Sequence, residues 1–484
     1  MLRPENIFQT SDTSELSGKH VLFVGFGVVN AICALAISRL GARVTVLDRS
    51  PDPRSGGAWD SYGASRGGMA ARMFTYTEAD QYRSLSQQNR FAPSSSVFDR
   101  RPSEGGWDIR SDRGRPEDGQ WTRTHMEVSP EQATRLEKKI LQFNMEAAPL
   151  WEHILGSLPV SEQLSYRPEI LRLYDESDDL ERAEQRHIKL SSLLATVRPE
   201  DLEDRIPMVT PKTTTRLAGA LITRGFTLDV HYLMALVADE LEASGSSLRF
   251  SVDVTEACTD SRHGFLGVIA DDSFVTADYV ICSPGVYGEK FLASTGVQVP
   301  LAGVAGLWHD VPNVYGQNAS LKIHRRSAVA QDANITVQGE GAASRLIFGA
   351  GYGFVGTDPR NIDKKSLQAI RSDLDDLVRT LAPEAYEAAG GRSWLAEESR
   401  FCIRPWTPSG LGLFSVSPGS KSQLVITGGN NTGGFAQAPS IAAAVVAFVN
   451  GQHHPMHNRA DANGQGWEST PWVQHNLSSL GLAV

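Results

Sequence analysis

A mixed α/β fold, α+β overall, is predicted by three observations: a strand, glycine turn, helix and strand near the N-terminus, a run of strands alternating with helices in the second half, and a length of 484 residues, beyond what one hydrophobic core serves. The first unit occupies residues 19–50. Val21 to Val24 is an apolar, β-branched run too short for a helix, so it reads as a buried strand of a parallel sheet. Gly25 and Gly27 mark a tight turn; Ala31, Cys33, Ala34, Leu35, Ile37 and Leu40 give a helix that Gly41 stops, and a second apolar strand ends at Asp48. Such a turn brings backbone close to a pyrophosphate and aims helix N-terminal N–H groups at its charge, while an acidic residue about 20 positions on holds a ribose hydroxyl pair. Asn30 replaces the third glycine of the usual pattern, where a small residue lets helix and strand pack closely.

Composition narrows the partners. With 41% apolar and 21% charged residues the chain is globular, and its net charge of −10 argues against nucleic acid or an anionic membrane. The polar start, Met1 to Lys19, lacks the apolar core of a signal peptide, and no apolar stretch approaches a membrane span, so a soluble, cytoplasmic protein is expected. Cys33, Cys258, Cys282 and Cys402 have no metal-ligand spacing, and neither a disulfide nor a zinc framework is expected.

Beyond Asp48 comes a Gly/Ser/Asp/Pro-rich loop ending in Ser61 to Arg72. Its arginines either meet an anionic part of a nucleotide or are solvated on a surface loop. Residues 85–129 are polar and read as an irregular insertion, yet Trp107 and Trp121 imply that it folds down onto something, as a lid, a decoration or an oligomer contact. Pro130 to Leu155 returns to helical spacing. A helix from His231 to Ala243 closes at Gly245, a hairpin spans residues 267–277, and the strand Asp278 to Cys282 ends at Ser283-Pro284-Gly285, where backbone can pass close beneath a dinucleotide. Val297 to Ser393 reads as a second lobe of antiparallel strands plus helices, including Leu367 to Leu381. The strand Leu424 to Thr427 then leads through Gly428 to Phe435 into the helix Pro439 to Val449, a second glycine turn at a helix start. The residues after Gly451 read as a solvated tail, with His453, His454 and His457 as weaker metal candidates.

In this order the nucleotide turn, Ala64-Ser65-Arg66, Ala277 to Gly285, Arg404-Pro405-Trp406-Thr407-Pro408-Ser409-Gly410 and Gly428 to Phe435 resemble the D-amino-acid oxidase superfamily, nearest its glycine oxidase and sarcosine oxidase branches. The resemblance implies a Rossmann-type FAD-binding domain (15–84, 205–292 and 395–450), an inserted antiparallel-sheet substrate domain (130–204 and 293–394), and leaves 85–129 and 451–484 unexplained. It implies FAD held by Gly25, Gly27, Val28, Val29, Asn30, Asp48 and Arg49 at its ADP half, with Val254, Pro284 and Gly285 beside it. Near the flavin it implies Ser65, Arg66, Gly67, Cys402, Gly429, Asn430, Thr432, Gly433, Gly434 and Phe435.

The implied chemistry is oxidation of a C–N bond in an amino acid or a secondary or cyclic amine to an imine, in one reading as a biosynthetic tailoring step. Arg404 would bind the substrate carboxylate and Tyr352 line its pocket; the competing role for Arg404 is a structural ion pair. Cys402 stands five residues before Thr407, the spacing of the cysteine that bonds flavin covalently in sarcosine oxidases, although a free cysteine is also a common small buried hydrophobe. The lysine that assists oxygen in those enzymes has no counterpart after Phe435, where Ala436 and Gln437 follow, so either Arg66 or Arg72 supplies the charge or oxygen is not the acceptor. Two other functions share this nucleotide unit. A monooxygenase would need NAD(P)H to reduce its flavin, and a non-catalytic flavin scaffold would suit the altered Asn30.

Overall fold

The computed structural model describes residues 7–8, 15–58, 60–61, 73–79, 84, 97–159, 162–202, 206–209, 217–295, 301–316, 319–325, 332–391, 400–417, 419 and 421–460. The strands in chain order are β1 (His20–Val24), β2 (Arg43–Asp48), β3 (Met73–Thr75), β4 (Arg167–Tyr174), β5 (Leu193–Val197), β6 (Gly219–Thr227), β7 (Ser247–Phe250), β8 (Val254–Asp260) and β9 (Gly264–Ala270). They continue as β10 (Ser273–Val275), β11 (Tyr279–Cys282), β12 (Ala302–Pro312), β13 (Leu321–His324), β14 (Asp332–Gln338), β15 (Arg345–Gly356), β16 (Arg400–Trp406), β17 (Leu413–Ser417) and β18 (Gln423–Gly428).

The βαβ unit predicted at the start is present: β1, helix Val28–Arg39 and β2, with β1 parallel to both β2 and β11. They belong to a six-stranded sheet in the order β17-β18-β11-β1-β2-β7, parallel except for the β17/β18 pair. β1 is buried on both faces, as a near-continuous apolar run requires. Helices Val28–Arg39, Val230–Ala243 and Gly434–Val449 pack together on one side of this sheet. The predicted hairpin is β9/β10, turning at Asp271 and Asp272 with φ of 44° and 60°, and β8 extends it to three strands.

The second sheet runs β16-β12-β15-β14-β13-β4-β6-β3, with β5 also on β6. It is antiparallel apart from β4 beside β13. One face is apolar: Leu171, Leu173, Leu321, Ile323, Ile335 and Phe348 share a core with helix Lys364–Leu381. Strand pairing crosses the boundaries expected from sequence, because β3, β6 and β16 hydrogen-bond into this sheet although their neighbours in the chain serve the nucleotide sheet. Hydrogen-bond partners decide which sheet a strand joins, and apolar periodicity carries no partner information.

Two expectations are corrected. The 85–129 insertion contains the helix Pro116–Glu127, whose Pro at the first turn and acidic Glu117 and Asp118 are ordinary helix-start signals beneath a polar composition. Nor is the segment after Gly451 a solvated tail as far as His457. Met456 is fully buried, His454 Nε2 lies 3.0 Å from Glu146 Oε1, and His457 packs on Phe414 and Phe448. Among the described residues no group of three or more His, Cys, Asp or Glu could hold a metal ion, and no helix is long and apolar enough to cross a membrane.

Candidate active site

A cavity of about 1470 Å³ lies between the two large sheets, larger than the roughly 300–1,000 Å³ usual for a small-ligand pocket. At one end it is bordered by Gly25, Gly27, Val28, Val29, Asp48 and Arg49; Val254, Pro284 and Gly285 lie alongside, and Gly429, Asn430, Thr432, Gly434 and Phe435 form another wall. Arg404, Tyr352 and Cys402 line the same cavity. Sequence-distant segments read as one site therefore do share one space.

The nucleotide turn is built for close approach. Gly25 has φ of 91°, and a Cβ there would sit 2.7 Å from the Ser283 carbonyl, so the corner is closed to any larger residue. A Cβ at Gly27 or Gly285 would meet nothing within 4 Å, which leaves their backbone open to a ligand. Gly27 caps helix Val28–Arg39 without a side-chain hydrogen bond, so the first-turn N–H groups remain available to an anion. Asp48 accepts from the Phe26 N–H at 2.5 Å and the Ser50 N–H at 2.6 Å, which fixes its carboxylate at the strand end. Arg49 is stacked over the Tyr287 ring at 4.3 Å.

Asn30 does not line the cavity. It is fully buried, and its side-chain N–H₂ donates to the carbonyls of Val24 and Gly25, each at 2.9 Å, and to Ile281 at 3.4 Å. It ties the turn to β1 and β11, doing with hydrogen bonds what a glycine would do by close packing. Gly433 also lies off the cavity wall; a Cβ there would meet Gln437 at 2.7 Å and Ala79 at 2.8 Å. Ser65, Arg66, Gly67 and Arg72 lie outside the described residues.

The Arg-Pro segment is joined to the second glycine turn. The Thr407 N–H donates to Asn431 Oδ1 at 3.1 Å, Trp406 bridges to Asn430, and a Cβ on Gly429 would strike Thr407 Cγ2 at 2.9 Å. Gly433 then caps helix Gly434–Val449, whose N-terminus meets the cavity through Thr432 and Gly434.

Arg404 is half-buried on β16 and crosses its neighbour. Its Nη2 donates to the Gly351 carbonyl at 2.8 Å and to Ala305 at 3.4 Å, its Nε to Val304 at 3.3 Å, and its Cζ lies 5.0 Å from the Tyr352 centroid. Among the described residues it has no acidic partner, so the structural ion pair is not what holds it. Tyr352 is in turn stacked on Trp107 at 4.7 Å and 20°. Trp121 donates its indole N–H to the Trp406 carbonyl at 3.3 Å, and the His125 Nδ1 lies 2.8 Å from the Pro408 carbonyl oxygen. Both insertion tryptophans are thus buried against the strands that carry Arg404 and Tyr352.

Cys402 packs against Trp308 and Ile347. Burial pushes its thiol up to about 12 while the Arg404 charge pulls it down. Only a thiolate would attack a flavin carbon, and burial works against that form here while Arg404 favours it.

Sequence reading missed the far wall: Arg172, Lys322, His324, Asp332 and Asn334 also line the cavity. The signal was the alternation in Leu171-Arg172-Leu173-Tyr174 and Leu321-Lys322-Ile323-His324, a period of two that puts every polar side chain on one face.

Solved structures with this fold include glycine oxidase from Geobacillus kaustophilus, at a TM-score of 0.60 and 15% identity over 93% of this chain and 99% of that one. Iminodiacetate oxidase from Chelativorans sp. BNC1 is similar at 0.57 and 17%, over 90% and 96%, and L-proline dehydrogenase from P. horikoshii at 0.56 and 12%, over 90% and 95%. The open glycines, the two helix N-termini and the dinucleotide-sized cavity fit FAD, and residues 20–448 match the family described as FAD dependent oxidoreductase. The chain belongs to that family, with FAD as its cofactor.

Proposed function

We propose that this enzyme oxidises the C–N bond of an amino acid, or of a secondary or cyclic amine bearing a carboxylate, to the imine. Bound FAD would supply the two-electron acceptor. Gly25 to Val29 would receive the pyrophosphate, Asp48 a ribose hydroxyl pair, and Gly429 to Phe435 the approach to the ring system. Arg404 would hold the substrate carboxylate with the guanidinium N–H groups that its backbone contacts leave unused. Tyr352 would keep the guanidinium plane from turning, so that the carbon bearing nitrogen is presented in one orientation. Removal of a hydride from a neutral amine needs orientation more than a base, which suits a site whose substrate wall offers a cation and an aromatic ring. The names of the three similar structures, an oxidase of glycine, an oxidase of iminodiacetate and a dehydrogenase of proline, agree with a substrate of this class and leave the electron acceptor open.

The observation that carries the reading is Arg404: a half-buried guanidinium without an acidic partner among the described residues, in the same cavity as both glycine turns. Arg404→Ala removes a charged hydrogen-bonding partner, a loss of about 1.5–3 kcal/mol, or roughly a 10- to 150-fold fall in kcat/KM carried mostly by KM. Steady-state kinetics with a panel of amino acids checks this. An unchanged kcat/KM removes the carboxylate assignment.

A further inference from the structure

We infer that the cavity holds a second anion subsite, centred on Arg172, and that the substrate is an amine carrying two carboxylates. The inference rests on the amine-carboxylate reading of the Arg404 end and names the substrate class more narrowly.

Strand register puts the subsite together. Arg172 on β4 pairs with Lys322 on β13, Lys322 with Asn334 on β14, and Asn334 with Gly349 on β15. Residues in register point to the same face of a sheet, here the face away from the apolar core. All four line the cavity.

Arg172 is 8% exposed, and its hydrogen bonds go only to hydroxyls: Nη2 to Thr75 and Thr77, both at 2.9 Å, and Nε to Thr223 at 3.3 Å. It has no acidic partner among the described residues. Other cations of this wall do: Lys322 with Glu78 at 2.9 Å, Arg186 with Glu137 at 2.8 Å, and Arg182 with Asp179. The nearest carboxylate, Glu78, is reached only through the Thr75 hydroxyl, which donates to it at 3.0 Å, and Glu78 is itself bonded directly to Lys322, so Arg172 has no direct ion pair and its Nη1 makes no hydrogen bond to a described residue. Asn334 adds an independent sign, since its buried Oδ1 has no hydrogen-bond partner. The remaining Nη1 donors and the Asn334 amide, turned to present its N–H₂, match the two oxygens of a carboxylate. His187, buried nearby, has its pKa driven down to about 2, first by burial and then by the charges of Arg172, Arg186 and Lys322.

Arg404 already reaches across to the Gly351 carbonyl on β15, and β4 lies three strands further on. At about 4.8 Å per strand that is roughly 14 Å between strand axes, so a ligand that meets both guanidinium groups spans on the order of 10 Å.

The test is calorimetric titration of the FAD-loaded enzyme with α,ω-dicarboxylates from butanedioate to nonanedioate, each beside the monocarboxylate of equal chain length. One dicarboxylate should bind at least about ten-fold tighter than its monocarboxylate, the factor that 1.4 kcal/mol represents. Arg172→Met should abolish that advantage and leave monocarboxylate binding unchanged, whereas Arg404→Met should weaken both. Absence of any dicarboxylate advantage in the unaltered enzyme overturns the inference, and so does an advantage that survives Arg172→Met. If Arg172→Met does not fold, Arg172→Lys, which keeps the charge and loses the fork, should retain only part of the advantage, and an advantage undiminished in Arg172→Lys overturns the inference. Loss of the advantage in Arg172→Met, with monocarboxylate affinity unmoved by Arg404→Met, would leave the second subsite standing and the Arg404 reading fallen.

Discussion

Asn30 shows how one substitution in a familiar pattern can be compensated by a different interaction. Its amide N–H₂ reaches two carbonyls at the end of β1 and a third on β11, so the turn that must stay fixed for a pyrophosphate is tied from behind. Asn30→Ala takes that donor from the Val24 and Gly25 carbonyls, the first of which keeps the Ser283 N–H at 3.0 Å, at a cost of about 0.5–1.5 kcal/mol. Urea denaturation of the variant should show that loss, together with weaker retention of FAD on gel filtration. A midpoint equal to that of the unaltered protein would mean that the turn holds its shape without the staple. The sequence announced the glycines, the terminal Asp48 and the departure at position 30, because these are local features. It could not show which way the Asn30 side chain points, since Ile281 is 251 positions away and only the β1/β11 pairing brings it near.

Among the elements, the 85–129 insertion departs furthest from its expected form. Composition gave an irregular segment, and the polar average hid the helix Pro116–Glu127 and the few aromatic residues that anchor it. Two tryptophans in a polar stretch were nevertheless a sound sign of docking, because exposed indoles waste burial. The docking has a consequence for the site: Trp107, 6% exposed, stacks on Tyr352, which stacks on Arg404. Trp107→Ala should cost about 3–5 kcal/mol of stability, in the range of buried Trp or Phe truncations. It should also raise KM for the carboxylate substrate more than it lowers kcat, as the Tyr352 ring gains freedom. Trp107→Phe, which retains a stacking surface, should restore most of the KM. Thermal melts with parallel kinetics separate the two effects, and a KM unchanged in Trp107→Ala would reduce the insertion to a purely structural attachment.

At the scale of the whole molecule, the site is a gap between two sheets, and the polar face of the larger sheet is where most of its unread chemistry lies. Alternation in β4 and β13 was present in the sequence, but the parallel β4/β13 pairing that aligns Arg172 with Lys322 joins strands about 150 residues apart and leaves no local trace. That arrangement also ties stability to pH. His187 keeps a 2.7 Å contact from Nδ1 to Ser192 Oγ, and its folded pKa of about 2 lies far below the ordinary 6.5. Between those values the unfolded chain binds a proton that the folded chain refuses, so stability rises with pH through this window. The contribution is complete above about 6.5 and is lost as pH falls, at about 1.4 kcal/mol per unit. His187→Gln, which can keep the Ser192 hydrogen bond but cannot titrate, should therefore show a shallower decline from pH 6 to pH 4.5, by about 2 kcal/mol across the interval. The half-buried His457, its pKa lowered to about 4, and the carboxylates titrate in both proteins, so the difference between the two denaturation series isolates position 187. Parallel series would show that His187 takes up its proton in the folded state, and the cluster of Arg172, Arg186 and Lys322 would then be less positive than its contacts imply.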